Sequence, residues 1–103
     1  MVVGTDEAVK VVQLYSEQLK TVMSVDQVWV FGSRIRGNAT EESDVDVAVF
    51  SAEYDSDYWN AVTKAYRVFD RWICPYDLEI HGFGLNGNSP MIDEIKHTGI
   101  RVV

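Results

Sequence analysis

The chain has 103 residues, 47% of them hydrophobic, with Lys+Arg 9 against Asp+Glu 16 and a formal net charge of −7. That length fits one domain around one core and leaves no room for two. The acidic balance excludes a general nucleic-acid-binding surface, which needs a basic stripe, and is compatible with a bound metal or a basic protein partner.

Cys74 is the one cysteine, so no internal disulfide can form, as suits a reducing cytoplasm. The N-terminal MVVGTDEAVK lacks the basic start and apolar core of a signal peptide, and no apolar run approaches a membrane span. Thr5 with Asp6 and Glu7 reads as a helix start. Ala8, Val11, Val12, Tyr15, Leu19, Val22 and Met23 then recur at helical spacing. Gln27 to Phe31 is a short β-branched and aromatic run, a strand, and Gly32 breaks it. Ser33 to Gly37 reads as a short helix or turn, and Asn38 to Ser43 as a polar loop.

Val45 to Phe50 predicts a second strand, apolar at nearly every position after Asp46 and so buried on both faces. Asp55, Ser56 and Asp57 can start a helix whose apolar stripe is Tyr58, Val62, Ala65, Tyr66, Phe69, Trp72 and Ile73, with Pro75 stopping it. Tyr66, Phe69, Trp72 and Trp29 read as core. Tyr76 to His81 is a third strand, with Asp77, Glu79 and His81 on one side and Leu78 and Ile80 on the other. Gly82 to Asn88 is a loop. Ser89 followed by Pro90 reads as a helix cap and first turn, with Met91, Ile92 and Ile95 as the apolar face, His97 near the end and Gly99 as terminator. Ile100 to Val103 is a candidate edge strand. The expected architecture is a single α/β (α+β) domain over residues 1–103, a mixed sheet with flanking helices.

The chemistry concentrates in GSRIRGNATEESDVDV. Asp44 and Asp46, two apart, point to one face of a strand, where like charges repel and raise each other's pKa. A hard divalent cation removes that conflict; the plainer alternative is one capping and one solvated aspartate. Gly32 lets the backbone approach a ligand closely, amides at a helix start favour anions, and Ser33 adds a hydroxyl. A glycine turn with a serine cap would explain those two alone. The whole pattern (Gly-Ser, three residues, Gly, five residues, Ser-Asp-x-Asp) arises by chance on the order of once in ten million registers. It sets a phosphate cradle beside a carboxylate pair.

The stretch GSRIRGNATEESDVDVAVF resembles the nucleotidyltransferase motif of the DNA polymerase β-like superfamily and is most similar to the minimal nucleotidyltransferases. The motif covers about a fifth of the chain. The resemblance implies a single small nucleotidyltransferase domain that uses ATP as donor and Mg²⁺ as cofactor. Asp44 and Asp46 would be catalytic metal ligands, and Gly32, Ser33, Arg34 and Ser43 would serve the nucleotide. It also implies a third catalytic and metal-binding carboxylate on a later strand. Asp77 is the match, and Glu79, two residues on and on the same face, is the rival. His81 could neighbour the site from that strand. Arg34 and Arg36 point to different sides of a short helix, so that one reaches the triphosphate while the other faces solvent or a partner, with a solvated pair as the alternative; Glu41 and Glu42 read as solvated loop acids.

The chain ends soon after the third acid, so the acceptor pocket is expected to be completed by another chain. The resemblance implies a small helical toxin of the HEPN type, with this chain as cytoplasmic antitoxin transferring AMP to a toxin tyrosine. Two alternatives stand beside it. One is a nucleotidyltransferase for a small-molecule or nucleic-acid acceptor, working with another helical subunit. The other is a non-catalytic antitoxin that masks its partner.

Overall fold

The computed structural model describes residues 5–32, 45–71 and 78–103. Helix α1 (Thr5–Leu19) leads into strand β1 (Gln27–Phe31). Strand β2 (Val45–Phe50), the short helix α2 (Glu53–Ser56) and helix α3 (Tyr58–Arg71) follow. Strand β3 (Leu78–Phe83), helix α4 (Pro90–Thr98) and strand β4 (Ile100–Arg101) complete the order.

The four strands form one mixed sheet in the order β3-β2-β1-β4. β1 runs antiparallel to both β2 and β4, and β2 runs parallel to β3. Strand alternation then assigns the faces. Val28, Val30, Val45, Val47, Val49, Leu78 and Ile80 pack with Ala8, Val12, Tyr15 and Leu19 of α1 and Ala61, Ala65 and Val68 of α3. On the opposite face Ala48 and Phe50 meet Ile92 and Ile95 of α4, with Trp29, Phe31 and Phe83 packed around them. β2 is therefore covered from both sides, and only Asp46 along it retains appreciable exposure. Each valine buried there contributes about 1.5–3 kcal/mol. The Tyr15 hydroxyl donates to the Ala65 carbonyl at 2.9 Å, tying α1 to α3 through the core, and burial raises its pKa.

β1 and β2 have the expected bounds, and α4 starts and stops as its sequence requires. The Ser89 side chain accepts from the Ile92 amide at 3.3 Å, Pro90 opens the first turn, and Gly99 closes the last. Other expectations are corrected. The apolar spacing of α1 runs on to Val22 and Met23, but the helix ends at Leu19. Thr21 Oγ1 donates to the Gln18 carbonyl at 2.6 Å, so a side chain closes the turn; Met23 stays buried while Val22 is exposed.

The helix expected to start within Asp55–Asp57 is α3, and the short helix α2, which was not expected, precedes it. Asp57 leaves helical geometry at φ −151° and ψ 83°, and its carboxylate accepts from the Asn60 amide at 3.3 Å, capping α3. β3 runs on through Gly82 and Phe83, where a loop was expected, because those residues pair with Val49 and Phe50. The β4 ladder covers Ile100 and Arg101, while the Val102 and Val103 amides turn to the Val28 carbonyl. Tyr66 is not core: it is exposed, with its hydroxyl donating to the Ile80 carbonyl at 3.3 Å. Phe69 does pack against the core. The expected 33–37 turn and 38–43 loop, with Trp72, Ile73, Pro75 and Tyr76, lie outside the described residues. No described helix is long and apolar enough to cross a membrane.

Candidate active site

The sheet register assembles the site. Phe31 stands opposite Asp46, and Asp46 opposite Glu79. Three adjacent strands thus deliver one row of side chains onto the α4 face. His81 follows two residues after Glu79, so it shares that face. Its Nε2 lies 3.7 Å from Asp46 Oδ1 and 3.7 Å from Glu79 Oε1. Its ring meets Phe31 edge-on, with centroids 5.2 Å apart. One ligand atom from each of Asp46, Glu79 and His81 falls within 4.8 Å of the other two.

Gly32 ends β1 beside Asp46 with φ +91°, a left-handed conformation that side chains resist. A β-carbon there would lie 2.0 Å from Asp46 Oδ2, so glycine is required both for the turn and for the carboxylate beside it. A cleft of about 310 Å³ opens over this row. Gly32, Asp46, Glu79 and His81 form its floor, and Met91, Glu94, Ile95 and Thr98 of α4 form its wall.

The Asp46 side chain is 22% exposed and that of Glu79 54%. The Asp46 pKa is raised, first by burial and then by hydrogen bonding to and repulsion from Glu79, with His81 pulling the other way. Two carboxylates at neighbouring positions of a partly buried sheet constitute an electrostatic conflict that a cation would relieve. The donor set suits one: oxygen and imidazole ligands around a divalent cation at about 2.1 Å sit about 3–4 Å apart, close to the separations here.

Of the residues expected at the site, Gly32 and Asp46 stand side by side, with Glu79, the rival third acid, opposite Asp46. Ser33, Arg34, Ser43, Asp44 and Asp77 lie outside the described residues. Sequence reasoning raised His81 only as a possible neighbour and missed the α4 wall. The signal for that wall was present: Met91, Glu94, Ile95 and Thr98 recur at helical spacing along one stripe.

The sequence profile described as "Polymerase beta, Nucleotidyltransferase" matches residues 13–103. A Methanocaldococcus jannaschii protein named "Putative protein adenylyltransferase MJ0141" is 27% identical over 100 residues, covering 93% of this chain and 99% of that protein. Among solved structures, a "putative nucleotidyltransferase" from Sulfolobus solfataricus superposes with a TM-score of 0.66 at 16% identity, covering 91% of this chain and 78% of that one. A structure described as a toxin-antitoxin with AMP-PNP superposes with a TM-score of 0.55 at 19% identity, covering 88% and 72%. The last two likenesses establish the fold.

Proposed function

The chain belongs to the polymerase β nucleotidyltransferase family, and from that premise we propose that it transfers AMP from ATP to a tyrosine hydroxyl of a helical HEPN-type toxin, acting as its antitoxin. The observation that carries the reading is the cluster of Gly32, Asp46, Glu79 and His81 on the floor of one cleft. Two names support the choice of acceptor and donor. The M. jannaschii relative is named for protein adenylylation, and one structural neighbour is a toxin-antitoxin with an ATP analogue.

Asp46 and Glu79 would hold Mg²⁺ together with Asp44, and the sequence resemblance adds Asp77 as a further candidate. When bound, the cation neutralises the phosphates and polarises the α-phosphorus. The chain's own groups do the rest. Gly32, having no side chain, lets the phosphates approach the backbone; Ser33 and Arg34 would grip the terminal phosphates, and Ser43 would orient Asp44. Glu79 or Asp77 takes the proton from the attacking hydroxyl. The tyrosine oxygen bonds to the α-phosphorus as the bond from that phosphorus to the bridging oxygen of pyrophosphate breaks. Most of the rate gain comes from positioning and charge neutralisation.

The test combines this chain, Mg²⁺, α-labelled ATP and the product of the neighbouring gene. Label should appear on a tyrosine of that protein and vanish with Asp44→Ala or Asp46→Ala. Neutralisation of the partner that survives both substitutions would replace catalysis with masking.

A further inference from the structure

A second concavity, of about 340 Å³, adjoins the first. It runs over the outer side of β3 between α3, α2 and α4, and it shares His81 and Met91 with the catalytic cleft. Its wall is aromatic. Tyr54 and Tyr58 lie 5.8 Å apart, and Tyr58 and Trp59 meet edge to face at 5.2 Å. Gly82 lets the Tyr54 ring lie against β3, since a β-carbon there would sit 2.0 Å from Tyr54 Cε1. Trp59 is 76% exposed and Tyr58 47%. Adjacent exposed aromatics of this kind mark recognition surfaces, where Trp and Tyr carry most of the binding energy.

The position of the groove selects its occupant. Across the sheet the order is Gly32 at the end of β1, Asp46 on β2, Glu79 and His81 on β3, and then the groove. In-line displacement puts the leaving group and the attacking oxygen on opposite sides of the phosphorus. With the phosphates toward Gly32, the acceptor must enter from the β3 side. Among the described residues the groove lining holds neither Lys nor Arg, a composition that does not suit a triphosphate. Asp55 and Asp57 are exposed neighbours in sequence of Tyr54 and Tyr58, Asp55 accepting from the Leu85 amide at 2.8 Å and Asp57 from the Asn60 amide at 3.3 Å, and the chain carries a net −7. Exposed aromatic faces on an acidic chain favour a cationic visitor by cation–π attraction and by charge.

We propose that this groove docks the acceptor: a protein segment whose tyrosine enters toward His81 while basic residues beside it face Trp59, Asp55 and Asp57. The proposal rests on the nucleotidyltransferase reading above, and its test separates the two. The probes are synthetic peptides with one central tyrosine, flanked either by arginines or by glutamates. They are titrated into the full-length chain without nucleotide and followed by NMR at the Trp59 indole and the Met91 methyl. Thermal stabilisation by ATP with Mg²⁺ is measured in parallel. The arginine peptide should move both signals and bind at least about tenfold more tightly than the glutamate peptide. Trp59→Ala should weaken it about tenfold, a loss typical of an exposed aromatic anchor. ATP–Mg²⁺ stabilisation should be unchanged in Trp59→Ala, and Leu14→Ser, at an exposed apolar position of α1, should alter neither measurement.

Equal binding of the two peptides, or no movement of the groove signals, overturns the docking proposal even where ATP–Mg²⁺ still stabilises the chain. A loss of that stabilisation in Trp59→Ala reassigns the groove to the nucleoside and overturns it too. Groove binding of the arginine peptide to a wild-type chain that ATP–Mg²⁺ does not stabilise leaves the groove a peptide-docking surface but overturns its role as acceptor site, along with the proposed transfer of AMP from ATP.

Discussion

Replacing Gly32 by alanine isolates the contact on which the site is built. The backbone there has φ +91°, and holding a residue other than glycine in such a conformation costs about 1–3 kcal/mol. The added β-carbon would lie 2.0 Å from Asp46 Oδ2, 3.0 Å from its Cγ and 3.2 Å from its Cβ. The carboxylate must therefore swing aside, at about 0.5–1.5 kcal/mol for a side chain forced off its rotamer. The two effects together predict a loss of about 1.5–4.5 kcal/mol in urea unfolding, read by circular dichroism. Gly87→Ala is the matched control. Its nearest neighbour off the local chain is Ile92 Cδ1 at 3.7 Å, an ordinary contact, so it should change stability by no more than about 1 kcal/mol. Because Asp46 is displaced in the first variant only, Gly32→Ala should also lose thermal stabilisation by ATP–Mg²⁺, and Gly87→Ala should keep it. Equal stabilities for the two variants, with ATP–Mg²⁺ stabilisation intact in both, would refute the argument from close approach.

Asp46→Asn should stabilise the cation-free chain by on the order of 1 kcal/mol at pH 7, since it removes a partly buried charge facing another. The raised Asp46 pKa sets the sign. The folded chain holds that proton more tightly than the unfolded chain, so wild-type stability falls as pH rises from the ordinary aspartate range through the raised value. The advantage of the Asn variant should appear across that window and vanish below it, as read by denaturation at a series of pH values. Tyr15→Phe removes the hydroxyl that donates to the Ala65 carbonyl and should cost about 1 kcal/mol in the same assay. Ser89→Ala removes the cap on the Ile92 amide and should cost about 1 kcal/mol, with the helical signal fraying before the sheet.

Local chemistry made much of this fold legible. QVWVF and VDVAVF are short β-branched runs with Gly32 and Ser51 beyond them, and both strands sit where their composition puts them. Ser89-Pro90 and Gly99 bound α4 because a cap, a fixed φ and a terminator act within a turn. Long-range pairing was not legible. A period of two puts Asp77, Glu79 and His81 on one face, but it cannot say which of them stands opposite Asp46; the parallel ladder puts Glu79 there. Tyr66 misled for a related reason. Helical spacing shows that it borders the apolar stripe of α3, whereas the width of the covering layer decides whether it is buried. Glu94 and Thr98 went unread because their stripe also carries Ile95, a core residue, so one helix face serves both core and cleft.

The same register explains why the chain tolerates an arrangement that folding alone would disfavour. β2 is an inner strand, covered on both faces, and Asp46 is placed where burial and Glu79 both oppose its charge. A packed valine or alanine would be more stable at that position, as Val47 and Ala48 beside it illustrate. Glycine at 32 leaves space for the carboxylate and gives up the rigidity that a side chain would bring. His81, reaching both acids at 3.7 Å, offsets part of the repulsion without filling the cleft. The stability forgone is therefore concentrated in one cluster, and that cluster faces the cleft. A ligand that binds the folded state and resolves the conflict returns that free energy as added stability. The sheet also orders the approach to it, since Gly32 and the aromatic groove lie at opposite ends of the row through Asp46. On the proposed reading, donor phosphates and acceptor hydroxyl would reach the same two carboxylates from different sides of one small domain.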